Sequence, residues 1–169
     1  DYPILYVQRP CKYNRKTDVL PYGYTIELDK KYDYWCRQMR NAGIPVLDLR
    51  TAGRKHFQFY AGDHHWTIET SYYAAKAIER KLAEDYPDRF AFDSGIYKRS
   101  RFNDITRDGF LGEEAERSDK LFMGSEKITF LIPEYNTEYE MYKYDDGQLL
   151  MHKAGSFEEA LIDMDKLNQ

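Results

Sequence analysis

The sequence has no apolar run long enough to cross a membrane; a spanning helix needs about 20 such residues. It has no basic stripe either. Lys and Arg are scattered and the net charge is -4, which leaves no electrostatic footprint for nucleic acid. Only two cysteines occur, Cys11 and Cys36, and two fix no disulfide framework. Cys11 follows a predicted strand and Cys36 lies on a predicted helix. They are read as buried thiols, with a pairing open if that helix packs over that strand. No initiator methionine and no leader precede the first strand: Asp1-Tyr2-Pro3 runs straight into Ile4-Leu5-Tyr6-Val7. This start is expected to be a cut from a longer protein or an end left by processing, and it says little about where the parent protein resides. Repeats and low-complexity tracts are absent.

What is present suits one domain with a proper core. The chain has 169 residues, 32% charged and 42% hydrophobic. The unusual count is 16 tyrosines. Tyrosine joins an apolar ring to a polar tip and so suits sugars and other half-polar ligands; filling strands and a shallow core is the plainer use, and the favoured one.

Ile4-Leu5-Tyr6-Val7-Gln8 reads as a buried strand closed by Pro10. Residues 11–23 read as a loop. From Leu28 to Asn41 the positions Leu28, Tyr32, Trp35, Cys36 and Met39 fall at helical spacing, and Asn41-Ala42-Gly43 supplies the stop. Ile44-Pro45-Val46-Leu47-Asp48-Leu49 is the next strand. This order is that of a βαβ unit with parallel strands. His56 to Tyr60 reads as a short strand, and Thr67 as the cap of a helix to Glu84 with Ile68, Tyr72, Ala75, Ile78 and Leu82 inward. Residues 88–125 read as irregular. Lys127 to Ile132 is a strand. Thr137 to Tyr144 alternates with period two and turns through Asp145-Asp146-Gly147 into Gln148 to His152, a hairpin signal. A short helix opens at Ser156. The expectation is an α/β core over 1–87, an irregular segment and hairpin over 88–154, and a terminal helix over 155–169, all in one domain.

Phe59-Tyr60-Ala61-Gly62-Asp63-His64-His65-Trp66-Thr67 is the densest chemistry in the chain, with two of its four histidines side by side. It lies between a strand and a helix start, where α/β folds place their sites. On an extended segment Asp63 and His65 point to one side. Asp63 then accepts from one ring nitrogen of His65, fixes its tautomer, and leaves the other nitrogen free as a base. His64 is expected to point the other way. A metal site of Asp63, His64 and His65 competes, with His56 and His152 as further donors; adjacent residues rarely chelate one ion together, and no metal or other cofactor is expected. An Asp-His-His phosphoesterase needs further upstream aspartates, which Asp48 alone does not supply.

The nucleophile is harder to place. Ser156 with Glu159 forms a Ser-x-x-Glu capping box. Ser94 lacks a preceding strand, Ser125 precedes a strand instead of following one, and Cys11 has no helix start nearby. None is expected to complete a triad.

The stretch around Asp63-His64-His65-Trp66 resembles the bacterial DHHW family, which is similar to the SGNH-like acyltransferase domains of the alginate O-acetylation proteins. Tyr6-Val7-Gln8-Arg9-Pro10-Cys11-Lys12 resembles that family's strand ending in Pro-x-Lys. Val46-Leu47-Asp48-Leu49-Arg50 resembles its second strand, and Gly155-Ser156-Phe157-Glu158-Glu159 a segment before its catalytic serine. The resemblance implies a partial SGNH-hydrolase-like, flavodoxin-like parallel sheet with helices and an appended antiparallel hairpin, incomplete at both ends. It implies that Asp63 and His65 are the catalytic Asp-His half of a Ser-His-Asp triad, with His64 and Trp66 on the substrate side. The implied activity is O-acyl transfer or ester hydrolysis on a cell-surface polysaccharide or other acylated glycan, outside the cytoplasm, with a membrane acyl-donor protein as a further candidate partner. This chain alone is then expected to be inactive, for want of a serine turn. Two alternatives stand beside it: a non-catalytic carbohydrate-binding or assembly module on the same fold, and a metal-dependent hydrolase using Asp63, His64 and His65.

Overall fold

Strand, helix, strand is the order the first segment adopts. The computed structural model describes residues 2–12, 27–52, 56–117, 124–145 and 148–156, so most of the predicted loop over 11–23 lies outside the described residues. Strand β1 (Tyr6–Gln8) pairs parallel with β2 (Val46–Asp48), Val7 opposite Leu47, and helix α1 (Leu28–Asn41) is the crossover. Parallel neighbours require such a crossover. Gly43 ends α1 at φ +74, the left-handed conformation that glycine adopts without strain. Cys36 is the buried residue of α1, whereas Trp35, placed inward by its spacing, is 50% exposed. Cys11 and Cys36 are not joined by a disulfide. Instead the Cys36 thiol lies 3.9 Å from Asp48 Oδ2, and burial pushes its pKa up.

A short helix α2 (Leu49–Ala52) follows β2 directly. The Arg50 guanidinium locks this junction to α1: it donates to Asp48 Oδ1 at 2.9 Å, to Asp48 Oδ2 at 2.6 Å and to Asp33 Oδ1 at 2.7 Å. Burial raises the Asp48 pKa, but the hydrogen bonds and charge of Arg50 outweigh it and hold the carboxyl below its ordinary value. The core lies between this layer and helix α3 (Ile68–Asp85): Leu47, Leu49 and Ala74 are buried, and Leu5, Val7, Phe57, Trp66, Ala77 and Ile78 pack against them.

Thr67 caps α3 as predicted, its side chain accepting from Thr70 N at 3.2 Å. The buried face of α3 differs from the one read from spacing. Ala75 is exposed, while Thr70 and Ala74 are the most buried residues. The cause is local. The preceding segment leaves backbone groups that need partners, and the Thr70 hydroxyl accepts from Gln58 N at 2.8 Å and lies 3.1 Å from His56 O and 3.0 Å from Gln58 O. A buried hydroxyl so satisfied costs little, and it turns that face inward. Replacing Thr67 with alanine should therefore remove about 1 kcal/mol of stability, read as a melting temperature lower by roughly 2–4 °C; an unchanged melting temperature would show that the cap is idle.

His56 to Tyr60 is not a strand; it makes an isolated antiparallel bridge, Phe59 with Trp66. The predicted irregular segment is also more ordered than its sequence suggests. It contains β3 (Phe102–Phe110) and a short helix α4 (Glu113–Arg117). Asn103, Asp104, Arg107 and Asp108 obscure β3 because most of its side chains face solvent; its order comes from pairing with β4 (Glu126–Pro133), which no local pattern records. The hairpin is present as predicted. β5 (Glu138–Asp145) and β6 (Gln148–Ser156) pair antiparallel from Glu138 opposite Ser156 to Asp145 opposite Gln148, with an irregularity at Lys143/Tyr144. The turn residues Asp146 and Gly147, and the predicted helix with the Glu159 half of its cap, lie outside the described residues; Ser156 itself ends β6.

The chain divides into two compact units, Asp1–Ser94 with Thr106–Thr129, and Gly95–Ile105 with Phe130–Gln169. The second holds the hairpin, and within it Glu134 N donates to Arg101 O at 2.9 Å and Arg101 lies over the Tyr135 ring. No helix among the described residues is long and apolar enough to cross a membrane.

Candidate active site

The loop from Tyr60 to Thr67 sits in the first unit. Its base is fixed by Tyr60, which is 7% exposed and packs on the Phe110 ring with centroids 4.7 Å apart. Burial raises the Tyr60 phenol pKa. The loop folds back on itself through Thr67 N to Gln58 O at 2.9 Å and Tyr60 N to His65 O at 3.3 Å. Trp66, expected on the substrate side, is partly buried against the core beside Phe57, 6.1 Å between ring centroids. That packing anchors the end of the loop.

Asp63 is the buried centre of the site, 6% exposed. Its Oδ1 accepts from His65 N at 2.7 Å and meets His65 Nδ1 at 2.6 Å; its Oδ2 accepts from Glu113 N at 3.0 Å, in the first turn of α4. Burial alone would raise the Asp63 pKa, but these backbone N–H groups and the His65 ring hold it below the ordinary carboxylate range. An ionised Asp63 can only accept, so the proton between the two residues resides on Nδ1. That leaves Nε2 as the basic nitrogen. The His65 side chain is 66% exposed, and among the described residues no group hydrogen-bonds to Nε2.

His64 does not point away. Its Nδ1 lies 3.6 Å from Asp63 Oδ1 and 3.3 Å from Glu113 Oε2, and its ring is 3.9 Å from that of His65. The expectation of opposite faces assumed extended backbone. The bond from His65 N to the Asp63 carboxylate instead makes an Asx turn here, so the alternation of a strand does not apply.

Asp63, His64 and His65 each offer a ligand atom, all within 4.8 Å of one another. The spacing suits a hydrogen bond better than an ion. Donors on one tetrahedral zinc stand about 3.3 Å apart, given bonds of about 2.0 Å, whereas Asp63 Oδ1 and His65 Nδ1 are at 2.6 Å. His56, the other donor candidate, is taken up in stacking on Tyr73, centroids 4.1 Å apart; the His152 side chain lies outside the described ones.

Several residues that sequence reasoning passed over build this site. Gly112 and Gly62 allow two backbones to touch, with Ala115 N donating to Gly62 O at 3.0 Å. Lys12 and Glu126 reach the loop from elsewhere in the chain. In the sequence Lys12 stands out only as part of a Pro-x-Lys pattern. Glu126 carried no signal beyond being a charge at a strand start.

A mixed α/β fold with a parallel β1–β2 pair, an antiparallel hairpin and an Asp–His pair on the loop that leads into α3 is consistent with an SGNH-hydrolase-like domain. The sequence matches the family described as SGNH hydrolase-like domain, acetyltransferase AlgX, over residues 3–156, and the chain belongs to that family. Its fold is similar to the O-acetyltransferase domain of Pseudomonas putida AlgJ, with a TM-score of 0.53 and 19% identity, covering 78% of this chain and 49% of that one. At that identity the likeness concerns the fold, and the chain spans about half the length of that relative. No curated protein sequence matches it significantly.

Proposed function

We propose that this chain supplies the Asp–His half of an O-acetyltransferase site acting on a polysaccharide outside the cytoplasm. The observation that carries the reading is the 2.6 Å contact of Asp63 Oδ1 with His65 Nδ1, beside a largely exposed imidazole. Membership of an acetyltransferase family supports the reaction class.

His65 Nε2 takes the proton from a serine hydroxyl as its oxygen attacks the acetyl carbonyl of a donor; the serine lies outside the described residues. The new bond joins the serine oxygen to the acetyl carbon, and the imidazolium returns its proton to the departing donor oxygen. A sugar hydroxyl then attacks the acetyl-serine, giving its proton to Nε2, and the serine regains it as it leaves. Water in place of the sugar makes the same site an esterase. Asp63 stays ionised and steadies the imidazolium. His64 flanks the acceptor side, while Trp66 holds the end of the loop against the core.

The test is to give the full-length protein that contains this chain a chromogenic acetyl ester with and without a deacetylated polysaccharide. Acetate release without the polysaccharide, and O-acetyl signals on the sugar by NMR with it, are expected. Sugar binding with no acetyl release would replace the reading with a binding module, and activity that vanishes with a chelator and returns with zinc would replace it with a metal hydrolase.

A further inference from the structure

We infer that Lys12 and Glu126 are positioning residues that clamp the Asp63–His65 loop from two sides. The inference rests on the dyad being catalytic, but its geometry is independent of that reading. The loop carries the donor and acceptor groups of a tight turn, and residues 61–63 have no strand partner to satisfy them. The Lys12 ammonium donates to Ala61 O at 2.7 Å, to Asp63 O at 2.9 Å and to Glu114 Oε2 at 2.7 Å. An ammonium has three protons, and three acceptors converge on this one, with the side chain only 17% exposed. The Glu126 carboxylate does the complementary task. Its Oε2 accepts from Ala61 N at 3.0 Å and its Oε1 from Gly62 N at 2.8 Å.

Each partner is distant in sequence, Lys12 by 51 positions from Asp63 and Glu126 by 64 from Gly62. Neither contact is a by-product of local chain geometry. Together they hold the 60–61, 61–62 and 63–64 peptide units, while Ala115 N holds Gly62 O between them, and the backbone so fixed on both sides of Asp63 sets the direction of its Cα–Cβ bond. The fork–fork pattern of one carboxylate on two successive N–H groups adds orientation as well as attraction. Glu114, the third acceptor of Lys12, lies one residue beyond Glu113, whose N–H holds Asp63 Oδ2. The clamp therefore fixes the backbone beneath the carboxylate and the donor above it.

Lys12→Met keeps the stem and removes the donors. Glu126→Gln keeps the shape and replaces one acceptor with a donor facing an N–H. Lys12→Arg keeps a cation with donors. In the full-length protein that contains this chain, Lys12→Met and Glu126→Gln are each expected to lower kcat about tenfold with KM within about twofold, because misplaced catalytic groups lose rate before affinity; Lys12→Arg should recover part of it. The discriminating readout needs no activity. The His65 Nδ1 proton, held at 2.6 Å against a carboxylate, should give a downfield proton NMR resonance that is lost or broadened in Lys12→Met and Glu126→Gln while circular dichroism stays native. An unchanged resonance with unchanged kcat in both folded variants overturns the clamp. If either fails to fold, the other and Lys12→Arg decide, a fully native resonance in Lys12→Arg with no rate recovery also counting against it. Wild-type protein that shows the resonance but no acetyl release refutes the proposed activity and leaves the clamp standing.

Discussion

In the full-length protein, Asp63→Asn should lower kcat for the proposed acetyl transfer about 10⁴-fold with little change in KM. The argument is one of hydrogen-bond signs. Asp63 accepts at both oxygens, from His65 N and the His65 ring on one side and Glu113 N on the other. An asparagine has one acceptor and one amide donor. If its oxygen faces His65, its NH2 meets the Glu113 N–H. If it flips, its NH2 meets both the His65 N–H and Nδ1. In the second arrangement Nδ1 must accept, the proton moves to Nε2, and the base is lost. The first leaves a buried donor against a donor, which costs about 1–3 kcal/mol. The same carboxylate makes a pH prediction. Its folded pKa is depressed, so its contribution to stability is complete above the unfolded aspartate value of about 3.9 and is lost as pH falls through the folded value. The stability gap between wild type and Asp63→Asn should be widest near neutrality and close in acid. Asp48 is also depressed and adds its own acid sensitivity to both proteins, so the difference between them isolates Asp63. Steady-state kinetics and melting curves over that pH range check both parts. A variant with wild-type kcat would remove Asp63 from the mechanism.

The dyad was legible because it is local. Asp63 and His65 lie two residues apart, and a carboxylate so placed meets the ring whether the chain is extended or turned. What the extended picture could not show was the turn itself, and so His64 came out beside its neighbour and not opposite it. The βαβ start was equally readable, since α1 and β2 carry their own periodicity and stop signals. By contrast, β3 has almost no apolar alternation and exists through β4, and α4 matters through two N–H groups aimed at Gly62 and Asp63. Backbone groups have no residue type, so no motif announces them. The inward face of α3 was missed for a related reason: Thr70 is polar by composition and buried because its hydroxyl serves the backbone of residues 56 and 58. Lys12 and Glu126 share that logic, as charges recruited by main chain.

Gly112→Ala should be the most disruptive single methyl added anywhere near the site. A Cβ there would stand 2.3 Å from Gly62 O, 2.4 Å from Asp63 Cβ and 2.6 Å from Gly62 C. Two of these atoms are backbone and the third is attached directly to it, so no side-chain rotation relieves the clash. The loops must part, and parting lengthens the 3.0 Å bonds from Ala115 N to Gly62 O and from Glu113 N to Asp63 Oδ2. Overpacking of this kind costs about 3 kcal/mol when backbone has to move, a melting temperature lower by roughly 6–12 °C in a chain of this size. A shift of about 1 Å at Asp63 should also reduce kcat about 10²-fold. Two glycines calibrate the result. Gly62→Ala meets Ala115 Cβ at 2.9 Å, a milder contact, and Gly124→Ala meets nothing within 4 Å. The expected order of damage is Gly112, then Gly62, then Gly124 close to wild type. Were Gly112→Ala to melt and turn over like Gly124→Ala, the close approach of α4 to the loop would not be what holds Asp63 in place, and the second oxygen of the carboxylate would need another explanation for its fixed direction.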